Sequence, residues 1–454
     1  MKNFKNIVFI LADDLGYWSL GCEGNNDAIT PNIDSIAKNG IRFNNFFCTS
    51  PVCSPARASL LTGRMPSAHG VFDWILGGNI DTGTQEPIEY LRGQKGYTDY
   101  LKQNGFLCGI SGKWHLGYST KAQMGFEHWY VHQAGGGNYY SAPMIRDGKC
   151  IREKGYITDL ITDDAMRFIE KAADGTQPFY LNVGYTAPHT PWINNHPKEY
   201  LDMFKNTRFP SCPIQERHPW QISFPDFEHD RLENLQGYFA SIAAMDAGIG
   251  KILNLLKQRD LLSSTLVVFT SDNGFNCGHH GIWGKGNGTN PFNLFDTSVK
   301  VPFIMQLPGI IEPGRVCSEI LSAYDWFPTI LDFENISHSE KNLPGKSFLS
   351  CINSSNVKLD KDKIYVYDEY GSARMIRSSD WKYIHRYNNG PHELYDLRTD
   401  PFETSNCIKT ADTNLVYSLR NEMEDWFDCF SNPKLDGRNI SVTGMGQSTY
   451  YIKD

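Results

Sequence analysis

Hydrophobic and polar positions follow two rhythms along this chain. Short, continuous apolar runs rich in β-branched residues recur at Asn6–Ala12, Gly105–Ile110, Phe179–Gly184 and Thr265–Thr270. Runs that lack the alternation of a half-solvated strand predict parallel strands buried on both faces. Each ends in a polar stretch: Asp13-Asp14-Leu15-Gly16, Ser111-Gly112-Lys113-Trp114-His115, Tyr185-Thr186-Ala187-Pro188-His189 and Ser271-Asp272-Asn273-Gly274. Before the last run, Leu235, Phe239, Ile242, Met245, Ile249, Ile252 and Leu256 recur at helical spacing and predict a helix from about Leu232 to Gln258 packed on the sheet. Asp246 beside that face reads as a local hydrogen-bond partner. Asn194–Asp230, rich in Pro, His and aromatic residues, fits neither rhythm and predicts a long irregular insertion near a substrate cleft.

Toward the C-terminus the rhythm changes to close-set strands at Lys363–Tyr367, Ala373–Arg377, Trp381–Tyr387 and Glu393–Leu397. Leu415, Leu419, Met423 and Trp426 then give one helix an apolar face. The change falls in the Ser- and Asn-containing stretch His338–Lys361. We therefore expect a catalytic α/β domain over 1–350 and a smaller subdomain over 351–454.

The strand ends carry the chemistry. In open α/β sheets ligands gather where strands end, so the Asp13-Asp14 pair is well placed for a metal. Alone it reads equally as an Asp-capped turn. A second strand ending in Asp272-Asn273 favours the metal, because Asp13, Asp14, Asp272 and Asn273 form an all-oxygen set suited to a hard divalent cation. Lys113 and His115 alternate onto one side if the backbone stays extended. Pro188 and Pro191 hold His189 in a stiff turn, and Lys285 adds a point charge within a Gly-rich run, Cys277 to Gly286, that also includes His280.

Thr49 to Arg64 reads as a loop entering a helix, with Pro55 in its first turn and Gly63 at its end. Cys53 then lies beside free N–H groups and the positive end of the helix dipole, and Arg57 adds a fork of donors one turn on. A tetrahedral oxyanion suits such a place. The plain alternative for Cys53 is an ordinary buried thiol.

Composition narrows the partners. The chain has 454 residues, 40% of them hydrophobic, and a net charge of -8, so it can bury a large core and has no basic excess for nucleic acid or an anionic membrane. No segment is expected to span a bilayer, and the start lacks the pattern of a secretory signal, so a cytoplasmic location is expected. Eleven cysteines without a C-x-x-C pair read as reduced thiols.

The run Cys53-Ser54-Pro55-Ala56-Arg57-Ala58-Ser59-Leu60-Leu61-Thr62-Gly63-Arg64 resembles the C-x-P-x-R signature of the formylglycine-dependent sulfatases of the alkaline-phosphatase-like superfamily. Ala56 stands where that family more often has Ser. The G-K-W-H-L-G run at Gly112–Gly117, A-P-H-T-P at Ala187–Pro191, H-G-I-W-G-K-G at His280–Gly286 and E-L-Y-D-L-R-T-D-P-F-E at Glu393–Glu403 resemble further family motifs in the same order. Asn293–Phe303 departs from the family's Y-E-G-G-type run and points to a distinct subfamily. The resemblance implies a large mixed, mostly parallel sheet sandwiched by helices, with a smaller C-terminal α+β subdomain built on an antiparallel sheet.

It also implies a chemistry. Cys53 would be oxidised by a formylglycine-generating maturase, of the anaerobic radical type, to Cα-formylglycine, whose hydrate is the nucleophile. Asp13, Asp14, Asp272 and Asn273 would bind Ca2+ or Mg2+ together with position 53. Arg57, Lys113 and Lys285 would stabilise charge on the sulfate, His189 would protonate the leaving alcohol and His115 would help release sulfate. The expected activity is hydrolysis of a sulfate ester on a carbohydrate, with a 6-O-sulfated N-acetylhexosamine as the specific expectation. Trp74, Trp129, Trp192 and Trp220 fall in predicted loops and equally suit sugar stacking or a core. Trp74, Trp192 and His280 are the candidate substrate contacts. Two alternatives stand beside this reading: a phosphonate monoester or phosphodiester hydrolase, and a non-catalytic binder of sulfated glycans if Cys53 is not matured.

Overall fold

The computed structural model describes residues 5–222, 229–354, 357–368, 373–387, 390–439 and 446–447. In chain order its strands are β1 (Asn6–Ala12), β2 (Ile41–Phe47), β3 (Leu107–Lys113), β4 (His128–His132), β5 (Pro143–Arg146), β6 (Lys149–Arg152), β7 (Phe179–Gly184) and β8 (Thr265–Ser271). A ribbon of β9 (Asn276–Cys277) and β10 (Trp283–Gly284) follows, then β11 (Lys300–Val301), β12 (Phe303–Gln306) and β13 (Arg315–Ser322). The main sheet runs β11-β2-β12-β8-β1-β7-β3-β4-β5-β6, with β13 parallel on β2.

Its centre, β8-β1-β7-β3-β4, is parallel, whereas β12, β5 and β6 run antiparallel to their neighbours. The fold is thus mixed α/β. Along β1, Ile7, Phe9 and Leu11 enter one core and Val8, Ile10 and Ala12 the other, which explains the unbroken apolar run. Helices Ile157–Ala173 and Arg231–Gln258 cover the second face; Tyr97–Gln103 and Trp326–Phe333 cover the first. Because the central strands are parallel, the ends of β1, β3, β7 and β8 share one edge of the sheet.

Three expectations change. β3 starts later than the apolar pattern predicts and runs on through Ser111-Gly112-Lys113. Helix Arg231–Gln258 is long and apolar enough to cross a membrane, contrary to the sequence reading; 78% of its most apolar window is buried inside the protein, so core packing accounts for that composition. The insertion holds a short helix, Lys198–Met203, and its residues 223–228 lie outside the described residues. Asp246 accepts the backbone N–H groups of Asn32 and Ile33 at 3.0 and 2.8 Å, capping helix Pro31–Lys38.

The C-terminal strands β14 (Lys363–Asp368), β15 (Ala373–Ser378), β16 (Trp381–Arg386) and β17 (Glu393–Asp396) form an antiparallel sheet in that order. Helix Thr413–Phe430 buries Leu419, Met423 and Phe427 against one face. From the other face Ile364, Val366, Met375 and Ile384 join the core of the main sheet.

Candidate functional site

Helix Cys53–Thr62 is buried along its whole length and points its first turn at the edge where β1 and β8 end. Extended Val52 precedes it. Gly63 ends it at φ 68, a left-handed position where a side chain would be strained, and its N–H bonds the Ser59 carbonyl at 2.8 Å.

Cys53 Sγ lies 3.4 Å from Asp13 Oδ1 and 3.9 Å from Asp14 Oδ1, and Lys285 Nζ reaches it at 2.6 Å. Lys285 also donates to Asp14 Oδ1 at 2.6 Å, and Lys113 donates to Asp13 Oδ2 at 2.6 Å. Arg57 Nε donates to Asp272 Oδ2 at 2.8 Å and Nη1 to the Lys113 carbonyl at 3.1 Å, while Nη2 has no hydrogen-bond partner. Three carboxylates therefore face three cations in a water-poor site. Burial opposes the charge on Asp13, yet Lys113, His189, Arg57 and Lys285 hold its carboxyl well below the usual carboxylate range. Burial pushes the Cys53 thiol up to about 12 against the pull of Lys113 and Lys285, so the encoded thiol is not an activated thiolate.

The donor set fits a divalent cation. Oxygen atoms of Asp13, Asp14 and Asp272 lie within 4.8 Å of one another. Asn273 donates its Nδ2 to Asp14 Oδ1 at 2.8 Å, and its buried Oδ1 has no hydrogen-bond partner. A buried acceptor without a donor is costly, and a hard cation would satisfy it. With three cations already balancing three carboxylates, such an ion would leave net positive charge for an anionic ester.

The two histidines differ. His115 sits past the end of β3 at φ 61, so the backbone is not extended there and the expected alternation with Lys113 does not hold. Its Nε2 is 3.1 Å from the Ile75 carbonyl, which only accepts, so Nε2 carries the proton; the buried Nδ1 is left without a partner. Burial, then Lys113, holds His115 well below its ordinary pKa and therefore neutral. His189 Nδ1 donates to the Thr190 carbonyl at 2.6 Å, Tyr139 donates to the His189 carbonyl at 2.7 Å, and Nε2 faces Asp14 Oδ2 at 3.7 Å. The ligand atoms of Asp13, Cys53 and His189 also lie within 4.8 Å of one another.

Asp14, Cys53, His115, His189 and Lys285 open onto a pocket of about 430 Å³ that Trp74 also lines, whereas Asp13, Arg57, Lys113, Asp272 and Asn273 are not among its lining residues. Phe275, Trp283, Asn287 and the Gly135–Gly137 run complete it, and none of these was singled out from the sequence. The triple glycine was the visible signal. A Cβ at Gly135 would lie 2.1 Å from His115 Cε1, so only glycine lets this wall meet the ring.

Trp192 and His280 are not in the pocket. Trp192 is 1% exposed, its indole donates to the Pro188 carbonyl at 2.7 Å, and Tyr238 and Phe275 pack edge-on to it, so it is a core residue with no face for a sugar. His280 stacks on Phe295 at 3.8 Å in a separate cleft that also receives Trp220 and Pro213 from the insertion. Trp129 packs on Trp114 in the core. Of the predicted aromatic contacts, Trp74 alone reaches the pocket.

Comparison with known proteins gives this arrangement relatives. The family model described as Sulfatase matches residues 5–336, and the model described as N-sulphoglucosamine sulphohydrolase, C-terminal matches residues 278–428. An N-acetylglucosamine-6-O-sulfatase of Bacteroides thetaiotaomicron is 28% identical over 488 aligned residues, covering 90% of this chain and 83% of that protein. Arylsulfatase A of Homo sapiens is 28% identical over 448, covering 89% and 83%. A solved structure of an enzyme in complex with its substrate D-glucosamine-2-N,6-O-disulfate superposes with a TM-score of 0.78 at 26% identity, over 94% of this chain and 98% of that one.

Proposed function

The chain belongs to the sulfatase family, and we propose that it removes a 6-O-sulfate from an N-acetylhexosamine-containing glycan, using position 53, matured to formylglycine, and a calcium ion. The observation that carries the mechanism is the meeting of Cys53 with Asp13, Asp14 and Lys285 at a helix N-terminus. The substrate class is supported by the relative active on N-acetylglucosamine 6-O-sulfate and by the neighbour bound to glucosamine disulfate. Trp74 adds a flat apolar face at the pocket.

When present, the formylglycine diol supplies the nucleophilic hydroxyl, and the cation held by Asp13, Asp14, Asp272 and Asn273 supplies Lewis acidity toward a sulfate oxygen. Arg57 Nη2, Lys113 and Lys285 balance charge on the sulfate oxygens as the S–O bond to the sugar breaks. His189 Nε2 delivers a proton to the leaving hydroxyl. The lone pair on His115 Nδ1 accepts the proton whose removal from position 53 frees sulfate. Arg57 and Lys113 are fixed beforehand by Asp272 and Asp13, so little reorganisation accompanies the reaction.

The test is sulfate release from a panel of singly sulfated sugars, with protein co-expressed with a maturase and the mass of the peptide carrying position 53 recorded. Release confined to a 6-O-sulfated N-acetylhexosamine, lost with a chelator and restored by Ca2+, is the expected result. With the aldehyde formed and calcium supplied, no release from any sugar would remove the carbohydrate reading, and turnover of a phosphonate monoester instead would replace it.

A further inference from the structure

A second hollow, about 910 Å³ and larger than the catalytic pocket, lies between the insertion, the His279–Gly281 turn and the C-terminal sheet. It shares no lining residue with the catalytic pocket, yet both use the β9–β10 ribbon as a wall. His279 and His280 from its turn line the cleft, and Trp283 and Gly284 from its second strand line the pocket.

The chemistry of the cleft is unlike that of the pocket. Tyr17, Trp18, Trp220, Phe295, Tyr395 and Phe402 give it an aromatic lining, and Phe402 stands at 73% exposure. Phe402 thus extends the aromatic lining out to the rim of the hollow, where a ring can stack against a ligand. No lysine or arginine lines the cleft among the described residues. Three nearby cations are engaged: Arg377 grips Asp296 with Nε and Nη2 at 3.1 and 2.8 Å, Lys382 bridges Asp296 and Glu403, and Arg386 donates to Glu393 at 2.7 Å. Lys300 lies 4.6 Å over the Tyr17 ring but is not among the lining residues. An anionic group in the cleft would meet the carboxylates Glu216, Glu393, Asp296 and Glu403 without a lysine or arginine among the described lining residues. Thr297 lines the cleft at 8% exposure, and its hydroxyl has no hydrogen-bond partner. Aromatic faces, carboxylate acceptors, an unpaired hydroxyl and no lining cation suit a neutral sugar ring, whose C–H faces stack and whose hydroxyls donate.

We propose that this cleft binds unsulfated sugar residues of the glycan, as an accessory site separate from the catalytic pocket. The proposal rests on the reading of the substrate as a sulfated carbohydrate. On this reading a longer glycan gains contacts that a single sugar lacks, on a surface that never meets the sulfate.

The test uses full-length protein and unsulfated oligosaccharides of N-acetylglucosamine, galactose and fucose, followed by ligand-observed NMR and tryptophan fluorescence. At least one neutral oligosaccharide is expected to bind the wild type and the Cys53→Ala variant equally, with Phe402→Ala weakening it at least fivefold and Phe402→Tyr restoring it. Kinetics complete the picture: Phe402→Ala raises KM for a sulfated oligosaccharide while kcat, and both constants for a sulfated monosaccharide, stay put. Absence of binding by every neutral oligosaccharide, or equal binding by wild type and Phe402→Ala, overturns the proposal. Sulfate turnover without neutral-sugar binding sinks the cleft alone; neutral-sugar binding without sulfate turnover sinks the catalytic reading alone.

Discussion

Two buried clusters in this molecule have the same charge inventory and opposite consequences. At the sheet edge Asp13, Asp14 and Asp272 face Arg57, Lys113 and Lys285; where the main body meets the C-terminal sheet, Asp296, Glu393 and Glu403 face Arg377, Lys382 and Arg386. In the second set Arg377 and Lys382 reach across the boundary to Asp296, and Arg386 to the Phe292 carbonyl, and so fasten the C-terminal sheet to the main body. In the first, Arg57 Nη2, Asn273 Oδ1 and His115 Nδ1 are buried without hydrogen-bond partners beside a cysteine at a helix start. Buried charge alone therefore does not mark a site. Arg386 Nε and Glu403 Oε1 of the second set also lack hydrogen-bond partners, so what sets the first apart is that its unsatisfied atoms gather around a cysteine at a helix start and a pocket.

Substitution should separate the two clusters cleanly. Cys53→Ala is expected to abolish turnover, by at least about 10⁴-fold, with the melting temperature unchanged and substrate binding still detectable by calorimetry. Retained multiple turnover would end the mechanism. Lys382→Ala should do the reverse, because it strips the buried carboxylates Asp296 and Glu403 of a shared partner. A loss of about 3–5 kcal/mol in denaturant unfolding is expected, with kcat per folded molecule near that of the wild type.

A subtler break tests the pocket wall. Gly135→Ala places a methyl group against the His115 ring, and displacement of a proton acceptor by an ångström or less is expected to cost about 10- to 100-fold in kcat/KM with little change in stability. Near-wild-type kinetics would show that His115 has room to move.

The strand ends were legible because their causes are local. A buried parallel strand needs an unbroken apolar run, so the residues just after it are fixed at the sheet edge, and β1 and β7 lie where the pattern puts them. The atoms that orient the histidines were not legible. The Ile75 and Thr190 carbonyls are backbone groups supplied by loops, and nothing in a side-chain pattern announces them. Trp74 and Trp192 looked alike in sequence, both in loops; the Pro188 carbonyl and the ring of Tyr238 draw Trp192 into the core, a fold-back that no periodicity encodes. Likewise His280, beside the motif that leads to Lys285, faces the other side of the β9–β10 ribbon.

Glu334 supplies the smallest and cleanest test of the same principle. It is 4% exposed, as buried as the sheet-edge carboxylates Asp13, Asp14 and Asp272, but accepts only the Lys5 backbone N–H at 3.2 Å and leaves Oε1 without a hydrogen-bond partner. With burial the leading effect, its carboxyl is pushed up to about 7, whereas Asp13 among its cations is held down. A carboxyl whose folded pKa exceeds its unfolded value, near 4.5, binds its proton more tightly when folded. Its stabilising contribution is full below about pH 4.5 and is lost as pH rises through 7. Glu334→Gln, neutral at every pH, should therefore leave stability unchanged at pH 4.5 and raise it by about 1–3 kcal/mol at pH 8 in denaturant unfolding, with sulfate turnover unaffected. Stabilisation equal at both pH values would mean that the carboxyl titrates alike in the folded and unfolded chain and that burial does not govern it, while a gain at pH 4.5 that shrinks at pH 8 would mean that a neighbouring cation sets its titration as it does for Asp13.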